Sequence, residues 1–120
     1  MNNYLSLEIG GKQRGLLYDF GTLEQIEDIT GEDPLEFAFD IKNFKSLREG
    51  SNILIYAGLL SNCDYHKVEP DFSYDDVKGW VKRLSPAQIL SVITTWGRAK
   101  SIVASGEGGT DTRDQNLNVV

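Results

Sequence analysis

A chain of 120 residues that holds one cysteine (Cys63), one histidine (His66), one methionine and three prolines has little to do metal or thiol chemistry with. A single cysteine rules out an intramolecular disulfide and points to a reducing compartment. Cys63 and His66 have the C-x-x-H spacing that makes half of a zinc site. A structural zinc needs four ligands, and no second Cys or His is present to complete it. Three residues apart on one helix is also a poor arrangement for handing a thiol proton to an imidazole. Long apolar runs are missing too. The longest, Ile53 to Leu60, contains Gly58 and falls far short of the roughly 20 residues that span a bilayer. Positive charge is the scarcer sign, 12 Lys and Arg against 18 Asp and Glu, for a net charge of −6. Such a surface repels phosphate backbones and anionic lipid. Lys78, Lys82, Arg83, Arg98 and Lys100 come closest to a basic patch, and acidic residues are interspersed among them. Neither nucleic acid nor membrane is expected as a partner. Met1-Asn2-Asn3-Tyr4 lacks the basic start and apolar run of a secretion signal, so the expected location is the cytoplasm.

Acidic residues are plentiful, and their placement argues against chemistry. General acid/base work needs two carboxyls in different environments facing one substrate. Glu32-Asp33 and Asp75-Asp76 instead stand at predicted helix starts, where exposed N–H groups favour negative charge. Asp64, Glu69 and Asp71 lack the glycine at the sharp turn of a calcium loop. Gly106-x-Gly108-Gly109 has no strand before it and no helix after it, so it reads as linker and not as a phosphate loop. The expectation is a protein that is no enzyme and has no metal, cofactor or catalytic residues.

What is there reads as an α+β, mainly α, domain over residues 1–104. Leu5, Leu7 and Ile9 alternate with Tyr4, Ser6 and Glu8 in a half-buried strand. Gly10-Gly11 turns the chain, and a second strand through Leu16, Tyr18 and Phe20 completes a hairpin over residues 4–20. Helices follow from 22 to 104, about five of them. Thr22 with Gln25 opens the first, and Gly31 ends it. Asp33, Pro34 and Glu36 open a second, which carries Leu35, Phe37, Phe39, Ile41 and Phe44. Ser46 with Glu49 caps a third, apolar around most of its circumference through Leu60 and therefore expected at the centre. A polar connection spans 62–71. Ser73 with Asp76 opens the fourth helix, and Ser85, Pro86 and Gln88 open the last, with Ile89, Ile93, Trp96, Ile102 and Val103 along it and Gly97 as a soft point. Residues 105–120 are rich in Gly, Asp, Asn and Thr and read as a disordered tail.

The candidate partner-binding residues are Phe37, Phe39 and Phe44. On one helix, Phe37 and Phe39 would lie about 200° apart around the axis, so only one of them could face the core. The other would be presented to a partner, as aromatic anchors often are.

The order of motifs is also telling. Leu-Tyr-Asp-Phe-Gly at 17–21 leads into Thr-Leu-Glu-Gln-Ile-Glu-Asp-Ile-Thr-Gly-Glu-Asp-Pro-Leu at 22–35. Ile-Leu-Ile-Tyr-Ala-Gly-Leu follows at 53–59, then Tyr-Asp-Asp-Val-x-x-Trp-Val at 74–81. This succession resembles the tail assembly chaperones of long-tailed bacteriophages and prophages, over roughly residues 5–100. The resemblance implies a non-enzymatic protein of the host cytoplasm that holds the tape-measure protein soluble and recruits tail-tube subunits. It also implies possible self-association, and a longer form made by programmed frameshifting near the end of the short reading frame. A structural head–tail connector or tail-completion subunit retained in the virion is the alternative. A small enzyme using Cys63 is the third reading.

Overall fold

The computed structural model describes residues 3–105. Its elements are strands β1 (Tyr4–Ile9) and β2 (Lys12–Leu17) and helices α1 (Phe20–Thr30), α2 (Phe44–His66), α3 (Tyr74–Val81) and α4 (Pro86–Ser105). The result is an α+β fold, mostly helical, with four helices among the described residues where the sequence predicts about five. The tail expected over 105–120, with its Gly106-x-Gly108-Gly109 run, lies outside the described residues except for Ser105, which still belongs to α4.

The strands pair antiparallel, with Leu5 opposite Leu16, Leu7 opposite Arg14 and Ile9 opposite Lys12. Gly10 and Gly11 both have positive φ, 65° and 85°. A two-residue hairpin turn demands that backbone, and glycine adopts it without a Cβ clash. The second strand ends at Leu17 because Asp19 turns the chain into α1. Asp19 Oδ1 accepts the Thr22 N–H at 3.1 Å, and the Asp19 N–H donates to Thr22 Oγ1 at 2.9 Å. Thr22 is thus the third helical residue of a capping box and not its cap, and Phe20 becomes helical instead of extended. Gly31 ends α1 in the left-handed conformation, as expected.

The largest departure lies between α1 and α2. Residues 32–43 form no helix, despite a well-formed start signal. Asp33 Oδ1 accepts the Leu35 N–H at 3.0 Å, and two successive turns close through Glu36 N–H to Asp33 O and Phe37 N–H to Pro34 O, but they do not lengthen into a helix. Phe37 and Phe39 then follow in a stretch without regular secondary structure, free of the helical spacing that would set them on opposite sides. Phe37 is buried, Phe39 is half-buried, and their rings meet at 5.8 Å. Burial of an aromatic side chain stabilises by about 1.5–3 kcal/mol, enough to override capping preferences worth about 1 kcal/mol. This strap ends in a turn in which the Asn43 N–H reaches Asp40 O and the Asp40 N–H donates to Ser46 Oγ. Asn43, not Ser46, therefore caps α2, accepting the Ser46 N–H at 3.0 Å.

Helix α2 is central, as its composition predicts. It packs against β2, α1, α3 and α4, while α4 also lies on β1. Leu54, Ile55 and Leu59 are fully buried, together with Leu16, Ile26, Val77 and Val92 from the elements around it. Small residues let those elements approach closely. A Cβ at Gly50 would overlap the Phe39 ring, and one at Gly58 would stand 2.9 Å from Tyr18 Cζ and Oη. The Tyr18 hydroxyl donates to Leu54 O at 3.0 Å, and Ser61 Oγ shares a hydrogen bond with Thr22 Oγ1 at 2.9 Å.

The polar stretch expected to be a connection from residue 62 continues α2 to His66. Its side chains are polar because the last turns of the helix emerge from the core. Lys67 ends α2 in the left-handed conformation, with the Val68 N–H bonded to Cys63 O. Two start signals hold as read. Ser73 and Asp76 form the capping box of α3, and Ser85 exchanges bonds with Gln88 ahead of α4. Along α4, Val92, Thr95 and Trp96 are buried, with Ile89 and Ala99 packed beside them, and the helix passes through Gly97 unbroken. Among the described residues no helix is long and apolar enough to cross a membrane.

The glycines give a direct check. A Cβ at Gly10 would meet the Trp80 ring at 2.6 Å on a backbone of φ +65°, whereas one at helical Gly79 would meet nothing within 4 Å. Gly10→Ala should destabilise by about 2 kcal/mol or more, and Gly79→Ala should stabilise by about 0.5–1 kcal/mol. Urea denaturation of the two variants measures both signs.

Candidate interaction surface

The three phenylalanines singled out from the sequence separate in the structure. Phe37 sits in the core, edge-on to Trp96 at 6.5 Å, and its carbonyl accepts a hydrogen bond from Lys100 Nζ at 2.9 Å. Phe39 closes over Gly50. Both therefore fasten the strap to the core side by side, and the expectation that one must point outward falls with the helix on which it rested. Phe44, in the first turn of α2, is 72% exposed, with the Arg48 guanidinium 5.4 Å from its ring centre. Ile41 and Leu35 are exposed in the strap before it.

A second group of exposed rings gathers at the other end of α2. Phe20, 71% exposed, starts α1, whose Thr22 is hydrogen-bonded to Ser61 of α2. Tyr65, 70% exposed, lies one helical turn beyond Ser61. Tyr4 is exposed as well, and its hydroxyl shares the space above Gly15 with the Asn62 side chain. Tyr4 and Tyr65 thus lie in solvent along the last turns of α2, and Phe20 is exposed at the start of α1. The sequence hides this group because Tyr4 and Phe20 look like strand residues and Tyr65 looks like loop. The available signal is Asp19, whose cap makes Phe20 the first helical residue, before any inward-facing position.

Between these ends lies a polar cluster built on Arg14, which the sequence reading passes over. Arg14 occupies a core-facing register position opposite Leu7, and only 10% of its side chain is exposed. The guanidinium stacks 4.7 Å from the Trp80 ring and 5.5 Å from Phe72. Nε donates to Ile9 O at 2.9 Å, and Nη1 donates to Asp71 Oδ1 at 2.6 Å. Lys12 Nζ also reaches Asp71 Oδ2, at 3.1 Å. The arrangement satisfies a buried cation with an anion, a carbonyl and two ring faces. It also fastens the hairpin to the loop entering α3. An arginine in an alternating strand, at a position the pattern reserves for apolar side chains, is the sequence signal for it.

The candidates for chemistry find structural duties or no partners. Asp33 accepts the Leu35 N–H and Asp76 the Ser73 N–H, and Asp75 pairs with Lys78 at 3.0 Å on the surface. Asp71 belongs to the Arg14 cluster, not to a calcium loop. Among the described residues no three His, Cys, Asp or Glu side chains gather as a metal site. Burial pushes the Cys63 thiol up, and the Asp71 carboxylate adds to the effect against opposing pulls from Arg14 and Lys12. A raised thiol is a weaker nucleophile source at neutral pH.

Asp71 carries the pH dependence of this cluster. Its hydrogen bonds from Arg14, then Lys12, lower its pKa from 3.8 to about 2. A depressed carboxylate stabilises the fold above its unfolded pKa and loses that contribution as pH falls through the folded value. Asp71→Asn should therefore lower the melting temperature at pH 7, with the gap closing between pH 4 and pH 2. Thermal melts followed by circular dichroism at the two ends of that window measure it.

No protein-family model, curated protein or solved structure matches this chain.

Proposed function

We propose that the protein is a tail assembly chaperone of a long-tailed bacteriophage or prophage. In this reading it binds the tape-measure protein in the host cytoplasm, keeps it soluble and hands it to tail-tube subunits. The succession of motifs supports the reading, and those motifs occupy defined places. Asp-Phe-Gly at 19–21 is the capped entry to α1, Thr-Gly at 30–31 is its end, Tyr-Ala-Gly-Leu at 56–59 lies in buried α2, and 74–81 is α3.

The observation that carries the reading is the exposure of the rings Tyr4 and Tyr65 at the end of α2 and of Phe20 at the start of α1. Exposed aromatic side chains grouped on a small chain mark contact surfaces, because leaving them in water forgoes their burial energy. A chaperone must also release its client, which suits a few rings and not an extensive apolar groove.

Co-expression with a tape-measure protein from the same phage or prophage tests the proposal. The wild-type chain should keep that client in the soluble fraction and co-purify with it. Phe20→Ser with Tyr65→Ser should reduce capture at least about tenfold, about 1.4 kcal/mol, with an unchanged circular dichroism spectrum. Mass spectrometry of purified particles should lack the chain. Its presence there in stoichiometric amount would favour a connector or tail-completion subunit instead.

A further inference from the structure

Helix α4 turns a face with almost no charge to solvent. Ala87, Leu90, Ser91, Thr94, Gly97 and Arg98 recur at helical spacing and are all exposed, Leu90 to 61%. Arg98 is the one ionised side chain among the six. The outward face of a surface helix is ordinarily charged or strongly polar, because only water lies against it. Here Ser91 turns its hydroxyl back onto Ala87 O at 3.1 Å, and a Cβ at Gly97 would meet nothing within 4 Å. Small side chains thus leave an open seat around an uncovered leucine. Arg98 forms no ion pair among the described residues, and α4 carries no carboxylate that could supply one. Glu8 of β1, the strand on which α4 lies, alternates with buried Leu7 and Ile9 and so stands on the far side of the hairpin. Lys82 and Arg83, exposed just ahead of the helix, add to the positive charge.

We infer that Leu117 to Val120 of this same chain fold back onto the seat around Leu90, with the carboxylates of Asp111 and Asp114 passing Arg98. Reach is the first reason for this occupant. Residues 106–120 continue from the end of α4 at Ser105, and Leu90 lies fifteen residues back, about 22 Å along the axis. Twelve residues lead from Ser105 to Leu117, opening with Gly-Glu-Gly-Gly, and a glycine-rich linker of that length has a root-mean-square span of about 20 Å. A linker that matches the distance it must cover raises the local concentration of its far end to about the millimolar range. Apolar content is the second reason. Leu117, Val119 and Val120 are the only large apolar residues in 106–120, and they gather where the linker delivers them. Charge is the third. Glu107, Asp111 and Asp114 against Arg113 leave the segment acidic, opposite in sign to Arg98, Lys82 and Arg83. The strap, which also exposes apolar side chains, is a poorer seat, because from Glu32 to Glu49 it sets five carboxylates against three cations. A partner that binds the α4 face has to displace the segment first, which lowers its apparent affinity by the docked fraction. The inference does not rest on the chaperone reading, because it needs no client.

Paramagnetic relaxation measured by NMR on the full chain reads the contact. Cys63→Ser removes the native thiol, and Asn116→Cys then carries a nitroxide beside Leu117. The nitroxide should broaden the amides of Leu90, Ser91 and Thr94 much more than those of Ile41 and Phe44, and less at high salt. Replacing Leu117, Val119 and Val120 together by Ser should lower the docked-to-free ratio at least about tenfold. Leu90→Ser should do the same, because burial of one leucine is worth about that factor or more. Arg98→Glu should weaken the contact, and adding Asp111→Arg with Asp114→Arg should restore it. An unchanged amide spectrum for α2 in each variant shows that the fold is kept. Nitroxide-bearing chain mixed with isotope-labelled chain that has no nitroxide should broaden nothing, because the contact lies within one chain. Amides of α4 that stay sharp at every salt concentration overturn the inference. So does broadening centred on the strap, broadening that appears only between chains, or a charge reversal that is not restored.

Discussion

The close approach of every other element to α2 is the constraint on which this structure depends. A single helix can touch a strand, a strap and three helices only if it presents small side chains where they cross it. Gly50 admits Phe39, Gly58 admits Tyr18, and Ser61 meets Thr22 through its hydroxyl. Between those points Leu54, Ile55 and Leu59 supply the apolar mass. Interiors pack near crystal density, so such contacts leave little room for relaxation. The two-stranded hairpin, marginal alone, persists because Leu16 and Tyr18 close on this helix.

That arrangement also decides what is left for the surface. The middle of α2 is surrounded, so its two ends are where its exposed aromatic side chains occur: Phe44 at the start and Tyr65 at the finish. The Arg14 cluster works on the flank. Tyr74, Tyr56, Phe72 and Trp80 form a run of ring contacts from 4.9 to 6.2 Å that ends on the Arg14 guanidinium. Through it the hairpin and α3 are coupled, although they meet mainly by way of loops. The result is a helix enclosed along its middle, with exposed rings at its two ends.

Much of this could be read from the residues. Period-two alternation gives β1, Gly10-Gly11 gives the turn, Gly31 ends α1, and Ser73/Asp76 and Ser85/Gln88 mark α3 and α4. These signals are local, and their chemistry is complete within four residues. The strap was not legible, because its local signal is a helix start and the deciding energy comes from Trp96 and Gly50, more than ten residues away. The same holds for Asn43, which displaces Ser46 as a cap only because Asp40 engages the Ser46 hydroxyl. The end of α2 is hidden for another reason: polar composition there resembles a loop, but it marks a helix leaving the core. Phe44 is exposed in a true helix, whereas Phe37 and Phe39 belong to packing.

Native-state hydrogen exchange followed residue by residue tests the central role of α2 most directly. If the helix is the common support, the amides of Leu54 to Leu59 should be the slowest in the chain and should exchange only through global unfolding, with a denaturant dependence equal to that of the whole protein. The strap should open first, at much lower free energy. Exchange of Leu54 to Leu59 through a partial opening, while β1, β2 and α4 remain protected, would contradict the account.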